Sequence, residues 1–250
     1  MTTFSLILPC FNEARRLPAA LAAYLAHLPD DPARVEVLVV DDGSTDATAA
    51  VAAAVAARDA RVRVLRTWPN HGKGSAVRTG MLAATGDLVV FTDADGSYAP
   101  AEFDRVVAAL ADAPVAIGAR VRDRRTRSPS RRAASRAFNG ALRLVLGLPF
   151  GDTQCGLKGF RREAARLVFA RARLDGFAFD AEVLLLARRL GLAIAEVPVR
   201  ARERGGSKVH LLLDGRRMLA ELWAVRRTTG RHRPAARRPP APWSGRAGGG

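Results

Sequence analysis

The chain has 250 residues, 48% hydrophobic and 6% aromatic, with 40 Lys and Arg against 24 Asp and Glu and a formal net charge of +16. That is enough apolar material for one large domain with its own core, and the charge draws the protein toward polyanions: nucleic acid, anionic membrane or phosphorylated substrates. Cys10 and Cys155 lie far apart in apolar or Gly-rich stretches, which argues against a disulfide framework or a cysteine metal site and fits a reducing compartment.

Short β-rich runs alternate with Ala-rich helical stretches. "FSLILP" reads as a strand, followed by a helix from about Ala14 to His27. The start "MTTFSLILPCFNEARR" has no basic segment before its apolar run, so no signal peptide is expected. "VEVLVVDD", "RVRVLRT", "DLVVFTDAD" and "VAIGAR" read as further strands. Between them "TDATAAVAAAVAAR", "GSAVRTGMLAAT" and "AEFDRVVAALAD" read as helices. Apolar strands separated by helices predict an α/β fold, a mostly parallel sheet with helices on both faces.

Residues 120–136 are Arg-rich and carry little apolar surface, so they read as a loop leading into the helix "RAFNGALRLVLG". "GDTQCGLKGF" follows, then the helices "REAARLVFARA" and "FDAEVLLLARRLG" and the strand "AIAEVPVRARE". A final amphipathic helix covers 211–227. These elements make one domain over 1–227, and 228–250, rich in Pro, Gly, Arg and Ala, reads as a disordered basic tail. No run of 18 apolar residues offers a membrane-spanning helix.

Asp41–Asp42 and Asp93/Asp95 both fall at strand carboxyl ends, where parallel α/β sheets bind ligands. Asp and Asn also favour turns and helix caps, and for Asp42 that reading competes, with Ser44 or Thr45 as caps. If the fourth strand continues through Asp95, alternation puts Asp93 and Asp95 on one side. Two like charges held together need a cation. Mg²⁺ or Mn²⁺, which prefers oxygen ligands and shares its shell with phosphates, is the natural one.

The motifs "LPCFNEARRL", "VVDDGSTDAT", "NHGKGSAVRTG" and "FTDADG", in that order, resemble those of family-2 glycosyltransferases of the GT-A fold. "GDTQCGLKGF", "FAFDAEVLLLARRLG", "EVPV" and "GSK" make the chain most similar to the branch that glycosylates polyprenyl phosphates, dolichyl-phosphate β-glucosyltransferases above all. The resemblance covers roughly Phe4 to Leu213.

It implies an inverting transfer of glucose from UDP-glucose to a polyprenyl phosphate, with GDP-mannose as the alternative donor. Pro9, Phe11 and Glu13 would line the nucleotide pocket, with Phe11 where the family usually has Tyr. Asp42 would read base or ribose, and Asp93 and Asp95 would hold the metal and sugar nucleotide. Arg120 would face the donor, and Arg202 and Lys208 would meet the diphosphate. Asp152 and Gln154 would face sugar and acceptor, with Asp152 as the base for a hydroxyl acceptor. Arg131 and Arg132 of the Arg-rich loop would hold the acceptor phosphate and the anionic membrane surface. The resemblance thus implies a cytoplasmic protein, peripheral on the inner membrane face.

Two rivals fit less well. A sugar nucleotidyltransferase would carry a "GxGTR" loop where this chain has "PCFNEAR". No nucleic-acid partner is expected, because the basic residues gather in one loop and a tail without a binding motif. "GKGS" lacks the spacing of a P-loop; Lys73 reads equally as a residue at a helix N-terminus near the nucleotide or as a solvated lysine, and His71 and His210 have no metal-ligand spacing.

Overall fold

A computed structural model describes residues 2–121, 140 and 147–202. Seven strands form one sheet: β1 (Phe4–Cys10), β2 (Val35–Asp42), β3 (Val62–Thr67), β4 (Leu88–Phe91), β5 (Val115–Arg120), β6 (Lys158–Arg161) and β7 (Ile194–Val199). Their order across the sheet is β3-β2-β1-β4-β6-β5-β7. β6 runs antiparallel to both neighbours, β4 and β5, and every other pairing is parallel.

Alternation along the strands splits the core in two. Leu6, Leu8, Val37, Val39 and Val90 face α1 (Leu17–His27), α2 (Thr48–Ala56) and α4 (Pro100–Ala109). Ile7, Leu38, Val40, Val89 and Phe91 face α3 (Lys73–Ala83), α5 (Arg162–Phe169) and α6 (Phe179–Arg189). The α/β expectation of a mostly parallel sheet covered on both faces therefore holds. Phe91 packs between Phe169 and Phe179, with ring centroids 6.5 and 5.8 Å away. Burying a side chain of that size contributes about 3 kcal/mol, and it fixes the end of β4 two residues before Asp93.

Three expectations are corrected. The first helix starts at Leu17, since Glu13 to Arg16 form a turn closed by Arg16 N–H to the Glu13 carbonyl at 2.9 Å. β4 stops at Phe91, so Asp93 and Asp95 lie in a loop and owe their placement to turn geometry instead of strand alternation. β6 is a strand within "GLKGF" that was not anticipated, inserted antiparallel between β4 and β5. The helix expected over 136–147, the final helix and the tail lie outside the described residues, apart from 140 and 147.

The chain order reverses beside β1, which pairs with β2 on one side and β4 on the other. Ligands of open α/β sheets bind outside the carboxyl ends at such a point. The loops after β1 and β4 flank it.

Candidate active site at the carboxyl edge of the sheet

The loops at this edge are stitched together by side chains. After β1, Asn12 takes a positive φ of 55°. Its Oδ1 accepts from the Thr45 N–H at 2.9 Å, and its own N–H donates to Ser44 Oγ at 3.0 Å. Pro9 is half-buried in β1, and Phe11 remains 40% exposed beside the crevice. Glu13 is tied to Arg16 as an ion pair within its own turn.

Asp42 is buried, and donors surround its carboxylate. Thr67 Oγ1 and Asn70 Nδ2 donate at 2.8 Å, and the Gly72 N–H at 2.7 Å. The His71 N–H adds a bond at 3.1 Å. No cap is made by Ser44 or Thr45, since α2 begins after Ala47 without a side-chain cap. The Asp42 carboxylate thereby holds the 67–72 loop in shape at the end of β2.

That loop delivers Lys73 to the first turn of α3. Its N-terminal amides are already used: the Gly74 N–H donates to the Asp175 carbonyl at 2.6 Å. A Cβ at Gly74 would come within 2.3 Å of the Leu174 carbonyl oxygen, so only glycine admits this close approach. "GKGS" is thus a docking point for the 174–176 loop. The Lys73 Nζ reaches Asp93 Oδ1 at 2.6 Å. Burial alone would lower the Lys73 ammonium, but Asp93, with Asp180 and Asp95 nearby, outweighs it and holds it above the ordinary lysine value.

Asp93 and Asp95 are both half-exposed. Asp95 Oδ1 accepts from the Ser97 N–H at 2.8 Å. Asp93 leans against Gly156, where a Cβ would lie 2.1 Å from Asp93 Oδ2. Tyr98 closes the join: its hydroxyl accepts from the Gly156 N–H at 3.2 Å and lies 3.3 Å from Cys155 Sγ. Both cysteines are free and buried, as expected for small apolar residues.

Arg120, at the end of β5, grips Asp152 with two bonds, Nε to Oδ2 at 2.5 Å and Nη2 to Oδ1 at 2.8 Å. Burial would lower the guanidinium, and the Asp152 carboxylate more than offsets it. Asp152 is only 3% exposed. Next to it, Gln154 Nε2 is buried and donates to no acceptor among the described residues. Arg202 is exposed, and its N–H donates to the Ser97 carbonyl at 2.8 Å. That bond sets Arg202 beside the Asp93–Asp95 loop. Lys208, Arg131, Arg132 and His210 lie outside the described residues.

The structure therefore gathers Asp93, Asp95, Asp152, Gln154, Arg120 and Arg202 along one edge, with Pro9, Phe11 and the Asp42-shaped loop at its other end. Three residues of this edge had no role in the sequence reading: Tyr98, Lys158 and Asp180. Lys158 and Asp180 were visible only as letters in "GLKGF" and "FAFDAE". Among the described residues, no group of three or more His, Cys, Asp or Glu gathers as a metal cage. Two half-exposed carboxylates suit an ion that takes one or two protein oxygens and fills its shell with substrate phosphates and water.

Comparison with known proteins gives concordant results. The glycosyl transferase family 2 profile matches residues 5–169. A dolichyl-phosphate beta-glucosyltransferase of Drosophila melanogaster is 40% identical over 82% of this chain and 68% of its own length. The Homo sapiens protein of the same name is 33% identical over 82% of this chain and 69% of its own. The chain thus spans about two thirds of these relatives. A crystal structure of glucosyl-3-phosphoglycerate synthase from Mycobacterium tuberculosis, in complex with Mn²⁺, UDP and phosphoglyceric acid, superposes with a TM-score of 0.68. It is 25% identical and covers 90% of this chain and 78% of that one.

Proposed function

The chain belongs to glycosyl transferase family 2, and on that footing we propose that it transfers glucose from UDP-glucose to a polyprenyl phosphate with inversion at the anomeric carbon. The observation that carries this reading is the meeting of the Asp93–Asp95 loop with the Asp152–Gly156 turn, Asp93 seated against Gly156. It brings a donor-side acidic pair and an acceptor-side turn to one edge. The relatives named for glucosyl transfer to dolichyl phosphate support the choice of sugar and acceptor.

In this reading Pro9, Phe11 and the 67–72 loop hold the nucleoside, with Phe11 offering a stacking face. Asp93 and Asp95 would hold Mg²⁺ or Mn²⁺, which would supply positive charge against the diphosphate. Arg202, with Lys208 beyond it in sequence, adds charge that matters most as the leaving group turns anionic. Lys73 pairs with Asp93 and offsets part of its charge. Arg120, locked by Asp152, presents a fixed cation to the donor. Gln154 Nε2 offers its unused N–H to an oxygen of the sugar or acceptor.

A phosphate monoester is already anionic near neutral pH, its second pKa being about 6. It can attack in line without surrendering a proton, and one in-line displacement of an α-linked donor gives a β product. Asp152, spent on Arg120, is then needed as a positioning residue and not as a base. The acceptor is lipid-linked, so the protein meets the bilayer. Among the described residues no helix is long and apolar enough to cross a membrane. We assign the contact to electrostatics, with the Arg-rich loop holding Arg131 and Arg132 as its main tool.

A donor screen tests the reading. UDP-glucose with Mg²⁺ or Mn²⁺ is expected to raise the melting temperature through preferential binding to the folded state. A shift with GDP-mannose and none with any UDP-sugar would move the assignment to mannosyl transfer.

A further inference from the structure

Lys158 is the one lysine of the sheet, and it is fully enclosed, in register with Phe91 on one side and Ile117 on the other. Its Nζ forms an ion pair with Asp180 in the first turn of α6. It also donates to the Cys155 carbonyl at 2.5 Å and lies 5.6 Å from the Phe91 ring centroid. Neither member of the pair can touch a ligand, since Asp180 is only 2% exposed.

A buried ion pair contributes little net stability over well-packed apolar residues of similar volume. What it fixes in place is the more informative quantity. Cys155 is followed by Gly156, the seat of the Asp93 carboxylate, and the Gly156 N–H is held by Tyr98 from the Asp93–Asp95 loop itself. Asp152 and Gln154 precede it in the same turn. Lys158 therefore grips from below the turn that meets Asp93 from the side. Asp180 touches Lys158 directly and holds its ammonium where it reaches the Cys155 carbonyl.

We infer that the buried Lys158–Asp180 pair is a positioning element for the metal–diphosphate site, acting through the Lys158 bond to the Cys155 carbonyl that sets the Gly156 seat of Asp93. The inference rests on the proposed assignment of the metal to Asp93 and Asp95. Neither residue is catalytic, because neither meets substrate. A partner hydrogen-bonded directly to a metal ligand is commonly worth about 10- to 100-fold in metal affinity; Lys158 acts one step further back, through the Cys155 carbonyl, which places its effect at the lower end of that range.

The test compares wild type, Lys158→Met/Asp180→Leu and Asp180→Asn. The readouts are melting temperature and Mn²⁺ affinity in the presence of UDP, the latter by titration of the free-ion paramagnetic signal. The apolar double variant removes both charges together and so avoids an orphaned buried ion. It is expected to melt near the wild-type temperature yet bind Mn²⁺ about tenfold or more weakly. Asp180→Asn keeps the shape and an oxygen for Lys158 but leaves the buried ammonium without its counter-charge, so it is expected to melt lower, while the Lys158 bond to Cys155 can persist. This variant is expected to hold Mn²⁺ within about threefold of wild type, well inside the range lost with such a partner.

Wild-type affinity in the double variant would overturn the inference and leave the metal assignment standing. If the double variant does not fold, Lys158→Gln takes its place: it keeps a donor for Asp180 but is too short to hold the Cys155 carbonyl as well, and wild-type Mn²⁺ affinity there would overturn the inference. A loss of affinity in Asp180→Asn beyond its expected range would show that charge, and not the Lys158–Cys155 bond, does the positioning, and would overturn the inference. A wild-type protein that binds no Mn²⁺ with UDP would overturn the metal assignment and the inference with it.

Discussion

Asp93 and Asp95 sit two residues apart yet have different neighbours. Asp93 is held between Lys73 and Gly156, whereas Asp95, among the described residues, accepts from the Ser97 N–H through Oδ1. Asp95→Ala is therefore expected to cost about 1 kcal/mol of stability, one hydrogen bond's worth, while lowering transfer about a hundredfold or more. Near-normal turnover, or turnover that survives full chelation, would refute the metal role. Asp152 tests another residue-scale point. Asp152→Asn keeps the side chain's shape but weakens the hold on Arg120, and turnover is expected to fall about tenfold with the shape of the pH–rate profile unchanged. Loss of the acid limb would instead identify Asp152 as a general base. The sequence singled out Asp93, Asp95, Arg120, Asp152 and Gln154 through the ordered motifs that carry the family resemblance, since a pair of Asp residues by itself is as readily a turn or a cap. Lys158, Asp180 and Tyr98 were not legible in it, because their meaning lies in partners distant in sequence: Lys158 with Asp180 and Tyr98 with Gly156; Lys73 was placed at its helix N-terminus, but not its pairing with Asp93.

At the scale of elements, the site depends on how loops dock on one another. The 174–176 loop packs on the start of α3 so closely that Gly72 and Gly74 have no space for a Cβ. The loop is itself held by Glu182, whose carboxylate accepts from the Arg173 and Leu174 N–H groups at 2.9 and 2.8 Å. Gly74→Ala is expected to destabilise the fold by about 2–3 kcal/mol through overpacking, read as a fall in melting temperature. An unchanged melting temperature would show that the loop yields at no cost. The strand β2 matches its sequence run, because contiguous Val and Leu ahead of the Asp-Gly turn leave little choice, and β5 matches through the alternation of Val115 and Ile117 around Ala116. β4 reads too long, since "TDAD" continues the run without a Gly or Pro to mark its end. β6 escapes because four residues with a Lys and a Gly carry no strand signal. Its existence is decided by the gap between β4 and β5 that it fills.

For the whole molecule, the chemistry gathers on one edge of a sheet whose two cores bury nearly every apolar residue of the strands. A protein with a net charge of +16 and a lipid-phosphate acceptor is expected to sediment with anionic vesicles at low salt. Screening over a Debye length of about 8 Å at physiological ionic strength should weaken that association. Serine at Arg131 and Arg132 is expected to weaken it further; binding indifferent to both salt and these changes would point away from the Arg-rich loop. The most direct measurement of the central proposal is a transfer assay with UDP-glucose, a polyprenyl phosphate in detergent and Mg²⁺, with the anomeric configuration of the product read by NMR. Release of UDP matched by a β-linked glucosyl phosphate lipid is the expected result. An α-linked product, or no lipid-linked sugar from UDP-glucose under conditions where another nucleotide sugar is consumed, would contradict it.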